Sequence, residues 1–294
     1  MILIAGGTGQ LGSLVANKLS ETGHPVRVLS RGMTAHPGVL RPEVEVVRGD
    51  VRDPSSLTGA LEGVDVVVSC VQGFAGPGGV TPESVDKAGN HNLVDAARMV
   101  GADVVLVSMA GAAPDSPMEL ARMKHAAEEY LEASGLSWTI VRGAAFAQVW
   151  LGVVADTAGS SGRPMVFGRG DNPIAWVDIR EVAELVQRAV QDRSLRGETL
   201  DICGPEALTL MQLAQAYMDH NGVAGRPRRI PRPMLHVMAA TVGRFKPEMG
   251  RQARAALAMD VLPPAEDSAT RARFPDIPRR PVSDVIADLP AHAG

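Results

Sequence analysis

Met1-Ile-Leu-Ile-Ala-Gly-Gly-Thr-Gly-Gln-Leu-Gly12 is the stretch whose reading decides the fold. Ile2 to Ala5 is an apolar run of the kind that forms a strand buried on both faces. It feeds without a spacer into Gly6, Gly9 and Gly12, then into Ser13-Leu-Val-Ala-Asn-Lys-Leu19, whose apolar residues recur at helical spacing. Strand, glycine turn and helix N-terminus together make a phosphate cradle, because unpaired backbone N–H groups and the positive end of the helix dipole face the turn. In such a turn one glycine takes positive φ, one lets the backbone approach a pyrophosphate, and one lets helix and strand pack closely. Gly6, Gly9 and Gly12 are spaced G-x-x-G-x-x-G. An ordinary strand–turn–helix corner is the plain alternative, and the strand-to-helix context favours the cradle.

Outward from this turn, strands and helices alternate. Gly23 to Ser30, Val44 to Val47, Asp65 to Cys70, Asp103 to Ser108 and Trp138 to Arg142 read as strands. Asp53 and Pro54 open a helix as N-cap and first helical residue, Val85 to Met99 is a crossover helix, and Met118 to Ala133 another. This order predicts an α/β protein with a Rossmann-type doubly wound parallel sheet, binding its ligand at the ends of the first and fourth strands. Residues 1–150 are expected to form the nucleotide-binding domain. Residues 151–294 are expected to form a smaller, interleaved substrate-facing lobe with a loose C-terminal tail. Gly73 to Pro82, rich in Gly and Pro, reads as a loop with the character of a lid.

Strand two of a dinucleotide fold carries the group that reads the adenosine ribose. An acid there accepts from the 2′-hydroxyl of NAD, whereas an Arg accommodates the 2′-phosphate of NADP. This chain has Ser30-Arg31 and no acid, so NADP(H) is the expected cofactor, with a merely solvated Arg31 as the alternative.

The 294 residues carry a net charge of −4, which argues neither for nor against a polyanionic partner. Two cysteines far apart, Cys70 and Cys203, suggest neither a disulfide framework nor a zinc site. His24, His36, His91, His125, His220, His236 and His292 lack metal-ligand spacing, so no metal is expected. No cationic stretch precedes strand one, and no apolar run approaches the ~20 residues of a membrane helix. A cytoplasmic chain without a membrane span is the expectation, with peripheral membrane contact left open.

Gly-Gly-Thr-Gly-Gln-Leu-Gly resembles the nucleotide fingerprint of the short-chain dehydrogenase/reductase superfamily. Lys124-His-Ala-Ala-Glu128, followed by Leu131, Ser134-Gly-Leu136 and Thr139-Ile-Val-Arg142, resembles the NmrA-like group of atypical members, which includes NAD(P)H:quinone reductases and cofactor-sensing regulators. The likeness continues through Ile174 to Ala183, Gly197 to Pro205 and Leu208 to Leu213, so that it covers roughly the first three-quarters of the chain. It implies that Gly6, Gly9 and Gly12, with the neighbouring Thr8, Gln10 and Leu11, hold the pyrophosphate, and that Arg31 holds the 2′-phosphate. Asp50 and Val51 are implied near the adenine, and Cys70, Val71 and Ser108 near the nicotinamide ribose. Lys124 is implied at the ribose or as a proton donor to a reduced acceptor; without the resemblance it reads as an exposed helix lysine. Cys70 is expected to pack there, not to react.

The departures from the pattern matter. Most of the superfamily has a Tyr four residues before the Lys; here that residue is Leu120, and Tyr130 lies on the wrong side of Lys124. Ser108 is followed by Met109 and Ala110, so the Ser–Tyr–Lys acid/base set is not intact. Phe146 and Trp150 read either as lining an apolar substrate pocket or as core, and Asp178 as the N-cap of the helix after it. Gly225 to Arg254 carries eight Lys and Arg residues against the lone Glu248. Three readings stay open for it: a solvated basic helix pair, an apolar entry for a lipophilic acceptor, or nucleic-acid contact, the last without a motif. The expected function is NADPH-dependent hydride transfer to a small apolar acceptor such as a quinone. The alternative is a non-catalytic NADP(H) sensor acting through a protein partner. An epimerase or isomerase is disfavoured by the missing tyrosine.

Overall fold

The computed structural model describes residues 1–32, 39–74 and 79–289. Elements follow in the order β1 (Ile2–Ala5), α1 (Gln10–Glu21), β2 (Val26–Ser30), β3 (Glu45–Arg48), β4 (Val66–Ser69), α2 (Ala88–Val100), β5 (Asp103–Met109), α3 (Glu119–Glu132) and β6 (Trp138–Gly143). Then come α4 (Ala147–Ala158), β7 (Met165–Phe167), β8 (Pro173–Ile174), α5 (Ile179–Gln191) and β9 (Glu198–Ile202). The rest is β10 (Leu208–Thr209), α6 (Leu210–His220), β11 (Arg228–Ile230), α7 (Arg232–Ala240), α8 (Val242–Phe245), α9 (Pro247–Met259), α10 (Ser268–Arg273) and α11 (Val282–Ala287).

Seven strands form the central sheet in the order β3-β2-β1-β4-β5-β6-β9, a Rossmann-type doubly wound arrangement. β1 pairs in parallel with both β2 and β4, with Ile4 opposite Val28 and Val68. Because successive strand side chains alternate in facing, Leu3 and Ala5 join Val67, Val104 and Leu106 on one side of the sheet. There they pack with Leu93, Val94 and Ala97 of α2 and Ala127 and Leu131 of α3. α1 and α5 pack against each other, burying Val15 and Leu19 of the first and Val182, Leu185 and Val186 of the second. A 2.7 Å ion pair between Lys18 and Glu184 joins the two helices at their edge.

The chain separates into two compact units, and neither is continuous. The first comprises 1–115, 120–142 and 179–201, and the second 116–119, 143–178 and 202–294. The expected division at residue 150 therefore shifts: α5 and nearly all of β9 belong with the nucleotide-binding sheet, because α5 buries its apolar face on α1. The second unit holds two small sheets, β7 with β11 in parallel and β8 with β10 antiparallel. α4, α6 and α11 pack together, as do α7, α8 and α9.

Several local expectations change. Asp53 and Pro54 open a single 3-10 turn (Pro54–Ser56), with the Asp53 carboxylate accepting from the Ser55 amide. The crossover helix begins with a π-helical turn over Pro82–Lys87 before α2. The loose tail is corrected over its first part, since Val282, Val285 and Ile286 of α11 are buried. Residues 290–294, His36 and 75–78 of the expected lid loop lie outside the described residues. No described helix is long and apolar enough to cross a membrane. Among the described residues, no group of three or more His, Cys, Asp or Glu could hold a metal ion.

Candidate functional site

The strand order reverses between β1 and β4, and in open α/β sheets ligands bind beyond the carboxyl ends of the strands at such a point. The glycine turn lies there. Gly6 takes φ +81°, in the left-handed region, and a Cβ on it would come within 2.7 Å of the Cys70 carbonyl oxygen after β4. A Cβ on Gly12 would run into the Gly6 carbonyl, so helix and turn approach to backbone contact. Gly9 is the N-cap of α1 and supplies no side chain to satisfy the first-turn amides. Its own amide donates to Gly6 O at 3.0 Å, and its carbonyl accepts from the Ser13 amide at 3.0 Å, closing the turn. Gly9 and Gln10 are exposed, Thr8 half-buried and Leu11 buried. Sequence reading missed Gly7, where a Cβ would meet both methyls of Val28 on β2. This cradle, closed to side chains and open at uncapped amides, fits a dinucleotide pyrophosphate.

Arg31 is exposed directly after β2. Ser30 pairs with Arg48 of β3, and the nearest atom to a Cβ built on Gly32 is the Arg48 guanidinium, so a second exposed cation stands at the neighbouring strand end. Asp50 sits beyond it. Its carboxylate accepts from Arg52 at 2.7 Å (Nη2) and 3.1 Å (Nε), and also from the Arg52 amide. Those bonds hold the Asp50 carboxyl below its ordinary value against partial burial, with Arg31 adding a weaker pull. Val51 is buried against Gly89 of α2, and its carbonyl accepts from Asn92 Nδ2 at 2.8 Å.

At the ends of β4 and β5, Lys124 departs from the exposed-lysine reading: it is only 5% exposed. Its ammonium donates to the carbonyls of Val71 at 2.9 Å and Val107 at 3.1 Å, and lies 3.1 Å from Asp86 Oδ1. Two carbonyls thus accept hydrogen bonds from the ammonium, and the carboxylate faces it as an ion pair. Ser108 is buried, and its hydroxyl has no hydrogen-bond partner among the described residues. Burial pushes the Cys70 thiol up to about 12, with Lys124 opposing. Sequence reading also missed Asp86 and Asn90, whose i, i+4 spacing marks a polar stripe on the face that α2 and the turn before it bury.

Phe146 and Trp150 belong to the second unit. The Phe146 backbone bridges to Val177, and the Trp150 ring lies 5.6 Å from that of the fully buried Trp176. Asp178 precedes α5 as expected, and its carboxylate accepts from Gln148 and Arg280, each at 2.7 Å. In the basic segment, Arg232 is paired with the buried Asp260 at 3.0 Å, while Arg244, Phe245 and Lys246 are exposed.

The NAD(P)H-binding family model matches residues 6–158. The NAD(P)H azoreductase of Xenophilus azovorans is 29% identical over 296 residues, covering 100% of this chain and 98% of that protein. A (4-alkanoyl-5-oxo-2,5-dihydrofuran-3-yl)methyl phosphate reductase of Streptomyces griseus is 32% identical, over 78% of this chain and 76% of its own. Among solved structures, the NADPH-dependent quinone oxidoreductase of Escherichia coli complexed with NADPH superposes with a TM-score of 0.75. It is 22% identical and covers 98% of this chain and 99% of its own, a likeness of fold.

Proposed function

This chain belongs to the NAD(P)H-binding family, and from that premise we propose that it is an NADPH-dependent oxidoreductase acting on a small apolar acceptor such as a quinone. The observation that carries the reading is the glycine cradle at the reversal of strand order, where a Cβ on Gly12 would strike Gly6. Gly6, Gly9 and Gly12, with the amides of Thr8, Gln10 and Leu11, bind the pyrophosphate. Arg31, with Arg48 beside it, takes the 2′-phosphate. Cys70, Val71 and Ser108 line the nicotinamide side, and Asp50 and Val51 the adenine side. Bound NADPH would supply the hydride; with one proton from solvent, a quinone would leave as the hydroquinone and the dinucleotide as NADP⁺.

Leu120 stands where a proton-transferring tyrosine would be, so ketone and alcohol chemistry by the usual route is disfavoured. A quinone needs orientation over the nicotinamide more than a dedicated tyrosine proton donor. The azoreductase and quinone oxidoreductase similarities support acceptors of this flat, electron-poor kind. Lys124, with its hydrogens turned to the protein, acts by holding the strand ends near the ribose.

The test has two stages. NADPH and NADH are titrated by fluorescence, and NADPH oxidation is then followed against a panel of quinones and azo dyes. Tighter NADPH binding and turnover of at least one acceptor are expected. Tight NADPH binding with no acceptor consumed would point instead to a cofactor sensor.

A further inference from the structure

Four buried polar side chains of the first unit form one network: Ser69, Asp86, Asn90 and Lys124. Asp86 is 0% exposed and sits on the π-helical turn that leads into α2. Its Oδ2 accepts from the Gly73 amide at 2.8 Å, and its Oδ1 faces the Lys124 ammonium at 3.1 Å. The main-chain carbonyl of Asp86 accepts from Asn90 Nδ2 at 2.6 Å, and Asn90 Oδ1 in turn accepts from the Ser69 hydroxyl at the end of β4. Lys124 donates to the Val71 and Val107 carbonyls. One carboxylate–ammonium pair therefore holds three main-chain groups: the Val71 carbonyl and Gly73 amide beyond β4, and the Val107 carbonyl near the end of β5.

Stability alone is a poor account of this pair. Removing two charges from water costs more than packing two apolar side chains of the same volume, so a buried pair is weak evidence of a stabilising role. Burial pushes the Asp86 carboxyl upward, and Lys124 only partly offsets it. The carboxylate is also carried on a π turn, a rare geometry that recurs at functional sites. Gly73 is pressed close: a Cβ there would collide with the Thr81 carbonyl at the N-cap of that same turn. The network fixes a short length of main chain more than it fixes a helix.

We propose that Asp86 is a positioning residue which, paired with Lys124, sets the Val71–Gly73 main chain against which the nicotinamide half of the dinucleotide lies. The proposal rests on the NAD(P)H reading above. It assigns a role to a residue outside the glycine turn, and it separates the two halves of the cofactor. The adenosine half, held at Gly12 and Arg31, does not depend on Asp86; the nicotinamide half does.

Asp86→Asn keeps the volume and an oxygen for the Gly73 amide but removes the charge facing Lys124. Wild type and variant are titrated with NADPH and with 2′,5′-ADP, which carries the adenosine half and the 2′-phosphate without nicotinamide. The variant is expected to bind NADPH roughly tenfold more weakly, while 2′,5′-ADP affinity stays within about twofold. The change in nicotinamide fluorescence on binding should shrink as well, a signature that a loss of fold stability would not produce selectively. Should Asp86→Asn not fold, the Asp86→Asn/Lys124→Met double variant removes both charges and is expected to show the same selective loss. Equal weakening of both ligands, or of neither, would overturn the proposal. Wild-type protein that binds neither ligand would overturn the cofactor reading itself, and the proposal with it.

Discussion

At Gly12 a single added carbon separates a cradle from a blocked turn. The Cβ of an alanine there would meet the Gly6 carbonyl oxygen, a backbone atom that cannot swing aside. Gly12→Ala is therefore expected to abolish NADPH binding at concentrations that saturate the wild type. Gly9→Ala, whose Cβ would sit 3.3 Å from the same oxygen at an ordinary negative φ, should weaken binding without abolishing it. Equal losses would mean that the whole turn, not the close approach at Gly12, sets the affinity. Arg31→Ala should weaken NADPH binding far more than NADH binding, since only NADPH carries the 2′-phosphate; parallel losses in the two titrations would remove Arg31 from that role. The cysteines give a contrasting residue-scale outcome. Burial pushes both Cys70 and Cys203 up to about 12, with Lys124 opposing at Cys70 and Asp267 adding at Cys203. Because the thiolate is the reactive form, a disulfide-exchange reagent at about pH 8 should leave both unmodified in native protein and label both in denaturant. Rapid labelling of Cys70 would mean that the neighbouring ammonium outweighs burial.

At the scale of elements, the turn after β3 shows how a local pair writes itself into pH dependence. Arg52 holds the Asp50 carboxyl below its unfolded value, so the stabilisation is complete above about pH 4, the ordinary carboxylate range. It is lost as pH falls through the depressed folded value. The difference in melting temperature between wild type and Asp50→Asn should be present at about pH 6 and gone at about pH 2; a difference that persists in acid would assign it to packing. α5 offers a test of the sheet's second face. Leu185 is fully buried, so Leu185→Ala should cost about 2–5 kcal/mol in denaturant unfolding, whereas a loss near zero would mean that α5 does not belong to the cooperative core. The first turn was legible because strand, glycines and helix are contiguous and each obeys a local rule. Lys124 was legible only in part. Its place in the series Leu120, Lys124, Ala127, Leu131 puts it on the buried stripe, yet a lysine's usual preference is for solvent. Its partners Val71, Asp86 and Val107 lie on three other segments, which no spacing along α3 can reveal. At α11, Val282, Val285 and Ile286 have helical spacing, which the prolines before them mask.

For the molecule as a whole, the cofactor reading predicts where protection should appear. A ligand that binds only the native state stabilises it by RT ln(1 + [L]/Kd), about 2.7 kcal/mol at a hundredfold excess over Kd. Hydrogen exchange resolves where that free energy is felt, because amides open locally as well as globally. Saturating NADPH should slow exchange in peptides that cover 6–13 and 70–73, the cradle and the main chain beyond β4. By contrast, 2′,5′-ADP should protect 6–13 and leave 70–73 near its free rate. The basic segment makes a useful control: Arg244, Phe245 and Lys246 are exposed, with Phe245 88% so, and α7, α8 and α9 pack on one another away from the glycine turn in sequence. Unchanged exchange over 232–259 with NADPH, together with the protection at 6–13, would localise cofactor binding to the first unit's strand ends. Protection over 232–259 at the expense of 6–13 would place the dinucleotide on the basic helices and remove the cradle from the account.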